Sequence, residues 1–162
     1  MGVFNTFRAL VTKSPEFVEQ ETADQSAPAQ PARPTVLVID DDQQFLDSVR
    51  PVLSAGGFNV LASTSGPKGL NLLRYAPHNI DAMLLDYCLP GFDGEQTLQF
   101  ARRLRPSLKI VGVTGLNPFE LSAAYREGVD ALFVKPFRNA ELLASLHAIV
   151  SGGGSAPPGG AA

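Results

Sequence analysis

Cysteine is almost absent from this chain of 162 residues, since Cys88 is the only one. A single cysteine excludes a framework of intrachain disulfides and fits a reducing compartment, so we expect a cytoplasmic protein. An excess of positive charge is lacking as well: 13 Lys and Arg residues stand against 16 Asp and Glu, for a formal net charge of −3. This balance argues against a nucleic-acid partner, because nucleic-acid-binding domains carry a basic surface.

Long hydrophobic runs are also missing. No segment approaches the roughly 20 consecutive apolar residues that a helix needs to cross a bilayer. The N-terminus carries Arg8 and Lys13 but has neither an apolar core nor a small-residue cleavage site, so we expect no secretory signal. The sequence therefore predicts no membrane partner.

The two ends of the chain differ from its middle. Residues 1–33 are interrupted by prolines and become rich in Gln, Ala and Pro after Glu19, which predicts a flexible N-terminal extension. Residues 151–162 consist of Gly, Pro, Ala and Ser and predict a disordered tail. Residues 34–150 are expected to form the one folded domain, with no output domain after it.

Within residues 34–150, short apolar runs alternate with amphipathic segments. The predicted strands are 35–39, 58–62, 80–85, 108–113 and 129–134. The predicted helices are 43–55, 67–75, 94–104, 118–127 and 139–150, the last with Asn139 as its N-cap. Five successive β-α units predict an α/β fold with a parallel sheet and helices on both faces. A flavodoxin-like, doubly wound five-stranded sheet of order 2-1-3-4-5 fits better than a barrel, which needs about 250 residues.

Polar side chains follow four of the five predicted strands. They are Asp40, Asp41 and Asp42 after the first, Asp86 after the third, Thr114 after the fourth and Lys135 after the fifth. In such a sheet ligands bind beyond the carboxyl ends of the strands, beside the switch point that strands 1 and 3 flank. Converging carboxylates repel one another and favour a hard divalent cation, and a site with few oxygen ligands suits Mg²⁺. An ammonium and a hydroxyl alongside predict binding of a phosphoryl group.

Four segments, in this order, closely resemble the signature segments of response-regulator receiver domains: VLVIDDD (36–42), LLDYCLPGFDG (84–94), VTG (113–115) and VKPF (134–137). The resemblance covers about residues 34–150. It implies a phosphorylation-dependent signalling switch of a two-component system or phosphorelay. The phosphoryl group would come from a sensor histidine kinase or a histidine phosphotransfer protein, and the signal would pass to an unidentified downstream protein by direct contact.

The resemblance also implies a role for each matching residue. Asp86 would be the phosphoacceptor, and Thr114 and Lys135 would sense the phosphoryl group. The implied Mg²⁺ ligands are Asp40, Asp41, Asp86 and the backbone carbonyl of Cys88. The bond between Lys135 and Pro136 would be cis, as only X-Pro bonds commonly are. Such a protein catalyses only its own phosphorylation and dephosphorylation, so we do not expect an enzyme in the ordinary sense.

Other residues at these strand ends are assigned ordinary structural roles. Asp42 is expected to cap the first helix, and Asp93 with Gly94 to form the turn and cap of the third. One position departs from the family pattern: Leu132 stands where the family commonly has a Tyr or Phe that links the phosphorylation site to the output surface. Phe133 is not a substitute, because neighbouring side chains of a strand point to opposite faces.

Two other functions remain open at this stage. The chain could be a receiver-fold scaffold that works without phosphate, which Leu132 slightly favours. It could also be a phosphohydrolase of the haloacid-dehalogenase type with Asp40 as nucleophile, since Asp40 and Asp42 form an Asp-x-Asp motif. Against the second reading, Gln44 stands where that family usually has Thr or Val.

Overall fold

The protein is described by a computed structural model, in which residues 33–76 and 79–152 are placed. The predicted N-terminal extension lies outside these residues apart from Arg33, and the predicted tail lies outside them apart from Ser151 and Gly152. Both therefore stay predictions. Among the helices of the described segments, none has the length and apolar character that crossing a bilayer requires.

Strands and helices alternate along the described chain. The strands are β1 (Thr35–Ile39), β2 (Asn59–Ser63), β3 (Ala82–Asp86), β4 (Lys109–Thr114) and β5 (Ala131–Val134). The helices are α1 (Gln43–Ala55), α2 (Gly66–Tyr75), α3 (Gly94–Leu104), α4 (Ala123–Gly128) and α5 (Asn139–Val150). A single 3₁₀ turn, Pro118–Glu120, precedes α4.

The five strands form one parallel sheet in the order β2-β1-β3-β4-β5. This confirms the predicted fold class and strand order. β1 and β3 are fully buried neighbours. From β1 the next strand is added on one side, and from β3 onward strands are added on the other side, so β1 and β3 flank the switch point of the sheet. Their carboxyl ends therefore border the crevice in which open parallel sheets bind ligands.

The core consists of two apolar clusters, one on each face of the sheet. Val36 and Val38 of β1 face one cluster, which α1 and α5 cover, while Leu37 and Ile39 face the other. The second cluster is covered by residues of α2, α3 and α4, including Leu73, Leu98 and Tyr125. Each fully buried side chain of this size contributes about 1.5–3 kcal/mol relative to exposure, so the two clusters are the main source of stability.

One predicted helix is wrong. The segment 118–127 is not continuous: the 3₁₀ turn ends at Glu120, and Leu121 and Ser122 adopt extended backbone before α4 begins. Leu121 is buried at this break and packs into the second cluster. The Ser122 hydroxyl accepts a hydrogen bond from the Tyr125 N–H at 3.0 Å and so starts a new, shorter helix.

Smaller corrections concern the ends of elements. β3 and β4 each extend one residue further than predicted, so that Asp86 and Thr114 are their last residues. Ladder pairing explains the extension, since Asp86 pairs with Val113, and Thr114 with Val134. The predicted N-cap Asn139 is wrong: the cap position is Arg138, whose carbonyl accepts the first hydrogen bonds of α5.

Asp130 joins three parts of the fold at the amino end of the sheet. Its carboxylate accepts hydrogen bonds from the Ile110 N–H (2.8 Å), the Arg102 guanidinium (2.8 Å) and the Lys109 ammonium (3.3 Å). Burial alone would raise the pKa of Asp130, but the bond from Ile110 and the nearby Arg102 outweigh it and lower that pKa. The carboxylate is therefore bound in its charged form.

We expect Asp130→Asn to lower the free energy of unfolding at pH 7 by about 1–3 kcal/mol, because charge-assisted hydrogen bonds between partly buried groups are lost. A group with a lowered pKa stabilises the fold above its usual titration range, and this stabilisation is lost as the pH falls through the lowered pKa. Urea unfolding at pH 7 and pH 3 should thus show a difference from wild type that shrinks at low pH. The exposed Asp47→Asn serves as control; a difference that stays constant with pH would contradict the interpretation.

Candidate functional site

The carboxyl end of β1 places one aspartate inside the molecule and two at its surface. Asp40 is only 1% exposed, and its Oδ1 accepts a hydrogen bond from the Asp42 N–H at 2.9 Å. Asp42 is exposed and caps α1 by accepting from the N–H groups of Gln44 and Phe45, as predicted. Asp41 is exposed between them. The acidic run therefore divides its roles: one carboxylate faces the sheet edge and one starts a helix.

The carboxyl end of β3 places Asp86 beside Asp40. Asp86 is 4% exposed, and its Oδ2 accepts a hydrogen bond from the Cys88 N–H at 2.6 Å. The following turn brings α3 back against the strand end, where a side chain at Gly94 would collide with the Asp86 carbonyl and lie 2.6 Å from the Tyr87 Cα. Only glycine permits this approach. Asp93 caps α3 by accepting from the Gln96 N–H, as predicted.

Lys135, after β5, joins the two buried carboxylates. Its Nζ donates to Asp40 Oδ2 at 2.6 Å and to Asp86 Oδ1 at 3.2 Å. The same ammonium lies 4.1 Å from the ring centre of Phe45 in α1, a cation–π contact. The Lys135 N–H donates to the Thr114 carbonyl at 2.7 Å, and the peptide bond from Lys135 to Pro136 is cis. Residues from three strand ends and one helix thus meet around a single positive charge.

Burial and charge act against each other at this cluster. Burial raises the pKa of Asp86; the Lys135 ammonium lowers it, the Asp40 charge raises it again, and the net direction is upward. Burial by itself would lower the pKa of Lys135, but its hydrogen bond to Asp40 and the charges of Asp86 and Asp40 raise it overall. Lys135 therefore stays protonated, and the ionised form of Asp86 is disfavoured relative to a free carboxyl group.

Thr114 lies at the end of β4, fully buried, next to the end of β3. Its Oγ1 accepts a hydrogen bond from the Leu116 N–H at 3.0 Å. The bond turns the start of the β4–α4 segment back onto the strand. In the described part of the chain no hydrogen bond links Thr114 to Asp86, so the hydroxyl is near the acidic pair without being bound to it.

The oxygen atoms at this edge suit a hard divalent cation. The carboxylates of Asp40 and Asp86 share one ammonium, and the Cys88 backbone belongs to the same turn as Asp86. Three such oxygens leave room for water, as Mg²⁺ prefers. Across residues 33–76 and 79–152, however, no three His, Cys, Asp or Glu side chains are arranged to hold a metal by themselves. Asp41 is exposed beside Asp40, and its role in metal binding stays a prediction.

The Cys88 thiol itself is poorly suited to react. Although the residue as a whole is exposed, partial burial of the thiol and the negative charge of Asp86 raise the pKa of the thiol. A raised pKa lowers the fraction of thiolate, the form that attacks. The role predicted for Cys88 concerns only its backbone carbonyl.

Sequence reasoning missed three aromatic residues around the cluster. Phe45 lies within the predicted helix 43–55 and had no role assigned at the site, yet its ring covers the Lys135 ammonium. Tyr87, the residue after Asp86, packs edge to face against Tyr125, with ring centres 4.8 Å apart. The sequence signal for Tyr125 was its place within the predicted helix 118–127, where a residue on the inward face is expected to be buried. The alternation of Leu132 and Phe133 is confirmed, since they pack into opposite core clusters.

Comparisons with known proteins agree with this geometry. The family model described as "Response regulator receiver domain" matches residues 36–147. Among curated proteins, the cell cycle response regulator CtrA of Brucella ovis is 32% identical over 118 residues, 71% of this chain and 49% of that protein. The chain thus spans about half the length of the curated relatives it matches.

Solved structures that resemble this chain are also response regulators. A CheY-like receiver domain protein from Methanospirillum hungatei is 28% identical with a TM-score of 0.69, covering 75% of this chain and 97% of that one. A response regulator from Burkholderia pseudomallei, solved "with a phosphorylated aspartic acid, calcium ion and citrate", has a TM-score of 0.63 at 23% identity, covering 74% and 69% respectively. With the match over residues 36–147, this chain belongs to the response regulator receiver domain family.

Proposed function

We propose that the chain is a phosphorylation-dependent switch whose phosphoacceptor is Asp86. The observation that carries the proposal is the sharing of one ammonium, that of Lys135, by two carboxylates that are nearly fully buried at the switch point of the sheet. A buried acidic pair is costly to maintain, and a structural role alone does not require one. Membership of the receiver family supports phosphorylation on an aspartate.

In the proposed reaction an Asp86 carboxylate oxygen attacks the phosphorus of a phosphohistidine on a sensor kinase or phosphotransfer protein. The new P–O bond forms as the P–N bond breaks, and the electron pair of that bond remains on the imidazole nitrogen. Lys135, already 3.2 Å from Asp86, is the group that would pair with the phosphoryl oxygens. The Thr114 hydroxyl, at the adjacent strand end, would donate to one of them.

Asp40, Asp41, Asp86 and the Cys88 carbonyl would hold a Mg²⁺ ion, one of the two neighbouring aspartates directly and the other through water. When bound, the ion would offset the negative charge of both carboxylates and of the incoming phosphoryl group. The Burkholderia relative contains calcium and a phosphorylated aspartate, but at 23% identity it supports only the shared fold. The metal proposal therefore rests on the oxygen atoms of this chain.

Downstream signalling is proposed to occur by protein–protein contact with an unidentified partner. A cytoplasmic location belongs to the same proposal and rests on the single cysteine. The phosphohydrolase alternative finds no support in the geometry: Asp42, the second acid of its motif, is occupied in capping α1.

Incubation with acetyl phosphate and Mg²⁺ should add about 80 Da, the mass of one phosphoryl group, to the intact wild-type protein. Asp86→Asn should show no adduct. Asp93→Asn is the matched control, since it makes the same change in the same turn and Asn still caps a helix well. No adduct on wild type, with beryllofluoride binding also absent, would refute the phosphoacceptor assignment and favour a phosphate-independent scaffold.

Calorimetric titration with MgCl₂ should show that Asp40→Asn weakens Mg²⁺ binding at least tenfold, about 1.4 kcal/mol, because one charged ligand is lost. Asp42→Asn, two residues away and on the helix cap, should bind Mg²⁺ like wild type. Equal losses in the two variants would mean that the acidic run acts only through its overall charge.

Lys135→Met should raise the pKa of Asp86 further, because the Lys135 charge is what counteracts burial there. A raised carboxyl pKa means that the folded protein holds the proton more tightly, so the free energy of unfolding falls as the pH rises through the titration. The fall in the free energy of unfolding should be larger and extend to higher pH in Lys135→Met than in wild type. Carboxyl ¹³C NMR titration measures the pKa, with the exposed Lys68→Met as control; an unchanged Asp86 titration would show that Lys135 is not its counter-ion.

A further inference from the structure

Tyr125 is the most deeply buried aromatic side chain near the site, and it comes from a helix of only six residues. Its exposed fraction is 0%, and its hydroxyl donates a hydrogen bond to the Leu85 carbonyl at 2.6 Å. Leu85 directly precedes Asp86 in β3. Burial and the nearby Asp86 charge raise the pKa of the phenol, so the hydroxyl keeps the proton it donates.

A second contact of Tyr125 reaches the other neighbour of Asp86. The Tyr87 ring meets the Tyr125 ring edge to face, with centres 4.8 Å apart and an angle of 68° between the planes. One α4 side chain therefore contacts the residue before and the residue after the proposed phosphoacceptor. A displacement of the backbone at Asp86 would therefore disturb one or both of these contacts.

The place of the phenol is also set by the neighbouring strands. A Cβ at Gly112 of β4 would lie 3.0 Å from Tyr125 Cε1, 3.1 Å from its hydroxyl oxygen and 3.1 Å from Leu132 Cδ1. The ring thus lies over a glycine and beside the side chain of Leu132. Any larger residue at position 112 would press on the phenol.

The chain between the site and Tyr125 is fastened at both ends. At one end the Thr114 hydroxyl oxygen accepts from the Leu116 N–H, and at the other the Ser122 hydroxyl caps the helix at the Tyr125 N–H. Because the intervening segment is short and Leu121 is buried in the core, we expect a shift at Thr114 to be passed on to α4. Tyr125 would then have to move relative to Leu85.

We propose that Tyr125 is a positioning residue that couples the state of Asp86 to α4, through the bond from its hydroxyl to the Leu85 carbonyl and its packing on Tyr87. The proposal deepens the function proposed above and rests on it. Coupling of this kind is reciprocal: if phosphorylation alters α4, a change in how α4 is held alters binding at Asp86 by the same factor.

Hydrogen exchange measured by mass spectrometry on the full chain, with and without beryllofluoride and Mg²⁺, tests the proposal. In wild type the exchange of residues 116–128 should change on binding. In Tyr125→Phe, which keeps the ring and removes the hydroxyl, that change should fall to less than half, and beryllofluoride affinity should shift at least about fivefold. Tyr75→Phe makes the same chemical change at a side chain that is 69% exposed and should behave as wild type.

Gly112→Ala gives a second, independent perturbation, because the added methyl group displaces the phenol without removing its hydroxyl group. It decides the matter should Tyr125→Phe not fold. A variant that only lowers the melting temperature, with the wild-type exchange response and affinity retained, would overturn the coupling role. A wild type that neither binds beryllofluoride nor forms an adduct would instead refute the proposed function. A responding wild type with an equally responding Tyr125→Phe refutes this inference alone.

Discussion

Two buried carboxylates that share one ammonium are the constraint on which the rest of this structure depends. Asp40 and Asp86 lie at adjacent strand ends, and their repulsion at low solvent exposure is relieved within the described chain by Lys135. Removing one member of such a group leaves uncompensated buried charge, which costs more than the group contributes when complete. The strand ends, the turn after Asp86 and the Phe45 ring are all placed so that this set stays together.

The same arrangement explains why the site is responsive. A buried carboxylate with a raised pKa is the group in which added or removed charge has the largest effect, because water screens it little. Lys135 bonds both to the acidic pair and, through its backbone, to the Thr114 carbonyl. A change of charge at Asp86 therefore acts on a network that already joins the ends of four strands.

Leu132 stands at the position where receiver domains commonly have a Tyr or Phe that links the phosphorylation site to the output surface. The structure places Leu132 and Phe133 in opposite core clusters, so Phe133 does not take the place of an aromatic residue at position 132. Tyr125 occupies the space over Gly112 instead and contacts the backbone and ring on either side of Asp86. The aromatic contact comes from α4 rather than from β5.

Much of this protein could be predicted from local patterns. Apolar runs such as Thr35–Ile39 predicted the buried strands, strict alternation predicted the parallel sheet, and the polar residues after each strand predicted which groups would meet. Those features are short-range: a period, a cap or a turn is set by neighbours in the chain. The break at Leu121 was not predictable in this way, because it depends on burial of that side chain in a distant cluster.

The sequence by itself determined the order of the elements, the edge at which Asp40, Asp86, Thr114 and Lys135 gather, and the caps at Asp42 and Asp93. Only the tertiary structure decided which carboxylates are buried, that Asp41 faces outward, that Phe45 covers the ammonium and that Tyr125 reaches Leu85 across 40 residues of sequence. The physical reason is that burial and charge compensation depend on contacts between elements far apart in the chain, which no local pattern records.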